Sequence, residues 1–151
     1  MSLIHEQSED ILRGVERSVK EDQGAGDQGI MFGYACNETE NSIPLTLDIA
    51  NRLLLELSKL RRSKEIPYLR PDSKSQVTIE YDDNDVPLRI DTIVISTQHD
   101  EFDSDDEKML NEIRKDMVKL LIPIVKDSYN PEIQKLFNDN IKIFVNPTGK
   151  G

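Results

Sequence analysis

The stretch SQVTIEYDDNDVPLRIDTIVIST, residues 75–97, decides the fold. Val77, Ile79 and Tyr81 alternate with Thr78 and Glu80, the spacing that puts apolar side chains on one face of a strand. DDNDVP (82–87) is rich in turn formers, and LRIDTIVIST (88–97) reads as a second strand, so the pair forms a hairpin. Ile93, Val94 and Ile95 are apolar on both faces, which predicts that the second strand lies inside the sheet.

Working outward, PLTLDIANRLLLELSKLRRS (44–63) opens on Pro44 and repeats Leu47, Ala50, Leu54 and Leu57 at helical spacing, with Leu53 and Leu60 widening the stripe. Lys59, Arg61 and Arg62 fall where they oppose the negative end of the helix dipole, and a solvated helix end accounts for them. Beyond the hairpin, Ser104 with Glu107 spells a capping box, and Leu110, Ile113, Met117, Leu120 and Ile124 predict one face of a second long helix, with Pro123 near its end. A loop or short helix around NPEIQKLFND leads to IKIFV (141–145), a final strand. Upstream, GIMFGYAC (29–36) is short and apolar, as for a buried strand, and Gly33 within it implies a close neighbour to the backbone.

In chain order the elements are strand, helix, strand, strand, helix, strand. The expected class is α+β: a ferredoxin-like βαββαβ split unit, its mainly antiparallel sheet carrying two long helices on one face. The other face has no helix to cover it, which implies cover from another domain or subunit and self-association when it is bare. Residues 1–6 read as a leader or residual linker, 7–22 as a mobile polar arm or short amphipathic helix broken by Gly14, and 23–151 as the domain.

With 151 residues the chain is one domain's worth, and its net charge of −10 offers no basic groove for a nucleic acid backbone. Its one cysteine, Cys36, cannot close an internal disulfide, and no zinc spacing is present, which fits a reducing, cytoplasmic setting. No stretch is long and apolar enough for a membrane span.

GAGDQGIMFGY (24–34) contains the G-x-G-x-x-G pattern. A dinucleotide fingerprint needs a strand before the glycines and a helix after them, whereas here a polar arm precedes and a predicted strand follows. Flanked by glycines, Asp27 is either part of a strained turn or a carboxylate raised at a loop tip, suited to an ammonium or ribose hydroxyls. RPDSKSQVT (70–78) presents Asp72, Ser73 and Lys74 in a Pro-stiffened turn just before a strand, either as an exposed Asx-type turn or as donors for a polyanion. His99, in STQHD, has no nucleophile near it in sequence and is given no role.

Together, GAGDQGIMFGYACNETE, PLT, LRPDSKSQVT, IVISTQHDE and NPTGK closely resemble, in this order, the central domain of S-adenosylmethionine synthetase (methionine adenosyltransferase), from about Gln7 to Lys150. The resemblance implies a subunit of three βαββαβ domains, with active sites between two subunits of a homodimer or homotetramer. It implies that methionine sulfur displaces triphosphate from the 5′ carbon of ATP and that the triphosphate is then hydrolysed to phosphate and diphosphate, with Mg²⁺ and K⁺ in the whole enzyme. By similarity, Gln7 and Asp27 contact methionine, and Asp27, Asp72, Ser73, Lys74 and Lys150 contact ATP. The arm after Gln7 corresponds to a loop that closes over the site.

Family members continue past NPTG with a basic residue and Phe, whereas Gly151 follows Lys150 here; a GHPDK-type motif and further glycine-rich segments also lie outside this sequence. The expectation is therefore a central-domain segment that carries binding residues and, alone, makes no S-adenosylmethionine and binds no cofactor. The alternative is a free-standing ferredoxin-like ligand-binding or regulatory module without catalysis.

Overall fold

The computed structural model describes residue 6, residues 8–24 and residues 30–149. The chain divides into two compact units, residues 1–34 and 35–151. In the first, α1 (Glu9–Val15) is followed by a single 3-10 turn, Lys20–Asp22, and the Gly24 N–H donates to the Val15 carbonyl.

In the second unit the predicted hairpin forms. β1 (Leu69–Tyr81) pairs antiparallel with β2 (Pro87–His99), and β2 pairs in parallel with β3 (Lys142–Val145). β2 is thus the central strand of the order β1-β2-β3, as its two apolar faces predict. The class is α+β, consistent with the split unit, and the sheet is mixed.

α2 (Leu45–Ser63) precedes the hairpin, and a continuous helical run follows it: α3 (Asp106–Asp116), a π-turn (Met117–Leu121) and α4 (Ile122–Asp127). The short α5 (Pro131–Gln134), capped by Asn130, leads to β3. Both long helices share one core with the inner sheet face: Ile49, Leu53 and Leu57 of α2, Ile113, Met117 and Leu121 of the second run, and Ile90, Ile93 and Ile95 of β2. Burying each such side chain contributes about 1.5–3 kcal/mol.

Five expectations are corrected. The buried face of α2 is Leu45, Ile49, Leu53, Leu57 and Leu60, and Leu47 is exposed. Leucines occur almost all round this helix, so several stripes are possible, and the true one includes Asp48, a carboxylate that three other side chains approach.

The second helix is capped by Asp105, not Ser104: the Asp105 carboxylate accepts from the N–H groups of Glu107 and Lys108. Its buried face runs Met109, Ile113, Met117, then Leu121 and Val125, and Ile124 is exposed. Pro123 has no N–H to donate to the preceding turn. The helix widens there, with the Ile122 N–H reaching back five residues to the Met117 carbonyl, and this moves the apolar face one residue along the chain.

No strand forms at 30–36. Ile30, Met31, Phe32 and Tyr34 are exposed, and a Cβ at Gly33 would meet nothing within 4 Å. A segment apolar on both faces needs a paired neighbour and two covering layers, and the described residues supply neither. Among the described residues the sheet therefore has three strands and lacks the first strand of the predicted βαββαβ order.

The outer sheet face is more polar than expected. The cross-strand rows there are Thr78, Thr92 and Lys142, then Gln76, Val94 and Phe144, then Lys74 and Ser96.

Candidate functional site at one end of the sheet

RPDSK lies within β1, not in a turn ahead of it. Between the pairs Leu69↔His99 and Ser73↔Thr97, β1 advances four residues and β2 only two, so two extra residues bulge out of the ladder. Pro71, with no N–H for a ladder bond, sits in this bulge. Asp72 and Lys74 are exposed and Ser73 half-buried. Among the described residues, none of these three side chains has a hydrogen-bond or ion-pair partner.

The bulge is clamped from both sides. Arg70 forks onto Asp100, its Nε 2.7 Å from Oδ1 and its Nη2 on Oδ2. The Asp100 N–H donates to the Tyr68 carbonyl at 2.8 Å. Tyr68 stacks on Phe102, with ring centroids 4.4 Å apart, and donates its hydroxyl to Asp116 at 2.6 Å. Burial first, and then Asp116, pushes the Tyr68 hydroxyl pKa up, so it remains a donor. Downstream of the bulge, the Ser75 hydroxyl donates to the Ala50 carbonyl at 2.7 Å and ties β1 to α2. A bidentate pair on one side and a helix on the other hold Asp72–Lys74 in place without using their polar atoms.

A second predicted segment meets this end of the sheet. Asn146, the first residue of NPTGK, is buried and left-handed, with φ of 43°. Its Oδ1 accepts from the Thr97 N–H at 2.8 Å, its Nδ2 donates to the Thr97 carbonyl at 3.2 Å, and its own N–H donates to the Ile95 carbonyl at 2.9 Å. Asn146 in this way extends the β2–β3 ladder with side-chain atoms.

Thr97 is the register partner of Ser73, so NPTG is held on the strand next to the Asp72–Lys74 bulge. Gly149, at φ of 112°, turns the chain where other residues would be strained. The Asn146 anchor escaped the sequence reading; an Asn just after a predicted strand and before Pro was the available signal. Gln7, Asp27 and Lys150 lie outside the described residues, as does most of the glycine loop. His99, given no role, pairs with Leu69 and packs its ring edge against Phe102.

The S-adenosylmethionine synthetase central-domain profile matches residues 22–151. The chain belongs to that family. It is 66% identical over 151 residues to the S-adenosylmethionine synthase of Christiangramia forsetii, covering 99% of this chain and 36% of the relative. Similar proteins include the S-adenosylmethionine synthase of Azobacteroides pseudotrichonymphae, 60% identical over 152 residues with 99% and 36% covered, and that of Parabacteroides distasonis, 61% over 159 residues with 99% and 37% covered. The chain thus spans a little over a third of the length of these curated relatives. Among the described residues no helix is long and apolar enough to cross a membrane.

Proposed function

We propose that this chain is the central part of a methionine adenosyltransferase and that the clamped end of its sheet binds ATP. The observation that carries the reading is the shared end: Asp72, Ser73 and Lys74, without partners among the described residues, stand one strand from the pinned NPTG turn in a chain of this family.

The chemistry asks for these residue types. As the sulfur of methionine bonds to C5′ of ATP, the C5′–O bond breaks and triphosphate leaves with the electron pair, so the site must hold a polyanion while a sulfonium cation forms. The Lys74 ammonium meets phosphate oxygens, the Ser73 hydroxyl donates to one, and the Asp72 carboxylate accepts from a hydroxyl or amine of the nucleotide. Lys150 adds a second cation, while Asp27 and Gln7 take the methionine and, for Asp27, the ribose.

Mg²⁺ and K⁺ enter through family membership and the charge of the triphosphate. Among the described residues no three His, Cys, Asp or Glu side chains gather to hold a metal. In the same reading the arm at 7–22 closes over the site, the whole enzyme is a cytoplasmic dimer or tetramer, and the remaining walls come from parts of the enzyme outside this sequence.

The test is a chimera in which these 151 residues replace the matching segment of the C. forsetii relative. It should make S-adenosylmethionine from ATP and methionine. Lys74→Ala should lower kcat/KM by about 10- to 100-fold, the loss of one charge-assisted contact to a phosphate, with unchanged thermal stability. A chimera that works equally well with Lys74→Ala and Asp72→Asn would refute the assignment.

A further inference from the structure

A cavity of about 360 Å³ opens beside the first turns of α2, walled by residues 37–41, by Asp48 and Arg52, and by Ser128–Asn130 with Ile133. That is the lower end of the volume range of small-molecule sites. Its floor is rigid: Asp48 is buried and accepts from the Tyr129 hydroxyl at 2.6 Å and from Asn41 Nδ2 at 2.8 Å. Arg52 lies with its guanidinium 4.8 Å from the Tyr129 ring centroid and Nη2 3.7 Å from Asp48. Its Nε is enclosed with no partner, the side chain as a whole is 30% exposed, and Arg52 is one of the residues that line the cavity. An arginine stays charged and carries five N–H donors, more than Asp48 takes up.

Glu40, also in the cavity lining, is exposed and without a partner among the described residues. Glu38 is already committed, its Oε2 accepting from the Leu45 N–H at 3.0 Å and the Tyr81 hydroxyl at 2.8 Å. Asp48, Glu38 and Glu40 outnumber Arg52, so a simple anion is repelled. A simple cation brings no acceptor for the Arg52 guanidinium. One molecule bearing both charges satisfies both groups.

We propose that this cavity binds a small zwitterion with a carboxylate and an ammonium, of the free amino acid class: the carboxylate on Arg52, the ammonium on Glu40. The site shares no residue with the sheet end and stands or falls apart from the proposed transferase reading.

The test titrates the ¹⁵N-labelled chain with glycine or alanine, and separately with acetate and methylammonium. Saturable amide shifts confined to residues 37–41 and 128–133 are expected with the amino acids at about 10 mM, above the millimolar Kd of a two-point contact. Neither single-charge analogue should reproduce them. Arg52→Gln and Glu40→Gln should each weaken binding about tenfold; Glu40, on the exposed rim, decides the matter if Arg52→Gln does not fold. No shift at these amides, shifts reproduced by acetate alone, or folded variants that bind like the parent would overturn the proposal.

Discussion

Asn146 is a sharp place to perturb the structure, because one side chain there closes two buried hydrogen bonds and tolerates a left-handed backbone at the same time. Replacing it with Ala leaves the Thr97 N–H and carbonyl without these partners beneath the turn. An unsatisfied buried group costs about 1–3 kcal/mol, and the N–H, bonded at 2.8 Å, is the more serious loss. Holding Ala at φ of 43° adds about 1 kcal/mol.

The sum for Asn146→Ala is about 3 kcal/mol. Asn146→Gly keeps the backbone freedom and loses only the bridge, so it should cost about 2 kcal/mol. With a urea m-value of about 1.5 kcal/mol/M, the midpoint should fall by about 2 M for Ala and somewhat over 1 M for Gly, with the slope unchanged. In the chimera, both variants should raise the KM for ATP by detaching NPTG from β2. If Asn146→Ala unfolds within about 0.5 kcal/mol of the parent, the bridge is not what fixes the turn, and the joining of the two predicted segments fails with it.

Tyr129→Phe removes a hydroxyl donor from the buried Asp48 carboxylate and should cost about 1.5–3 kcal/mol by urea unfolding. Burial first, and then Asp48, raises the Tyr129 pKa above the unfolded value, so its contribution is complete below pH about 10 and fades above it; Tyr129→Phe should flatten that alkaline decline. On the acid side, hydrogen bonds from Thr92 and then Arg89 lower the Asp91 pKa, and the Val86 and Asn84 N–H groups lower that of Asp82. Stability from both is present above pH about 4 and lost as pH falls below it, so Asp91→Asn should shallow the acid limb of a stability profile. Ile113→Ala should cost about 2–5 kcal/mol, whereas Ile124→Ala should cost under about 1 kcal/mol; equal costs would contradict the phase shift at the π-turn.

The hairpin and the central place of β2 were legible because alternation and a two-sided apolar run carry their own geometry. The site's location was half legible. Glycine, proline and charged residues marked Asp72–Lys74 and NPTG as separate segments, but nothing local says that Ser73 and Thr97 are register partners. That pairing depends on two extra residues bulging from β1. The strand expected at 29–36 shows the limit from the other side: composition reports what a segment would bury, whereas a strand also needs something to pair with.

The α2 misreading has a sharper cause. A stripe drawn through Leu47, Ala50, Leu54 and Leu57 avoids Asp48, and excluding a carboxylate from a buried face is ordinarily sound. Here the rule yields to distance along the chain: the Tyr129 hydroxyl that satisfies Asp48 comes from 81 residues away. The same long-range pairing holds Tyr129 against Arg52 and makes a polar cavity where an amphipathic helix alone would show a solvated flank. Asp48→Leu puts a number on this. It removes the acceptor shared by the Tyr129 hydroxyl, Asn41 Nδ2 and Arg52 and leaves those donors unpaired, so it should destabilise the chain by about 3–5 kcal/mol. If the carboxylate also orients Arg52 for a ligand, the Leu variant, titrated under conditions where it is still folded, should lose the amino acid titration at residues 37–41; a folded variant that still titrates would show that Arg52 needs no such support.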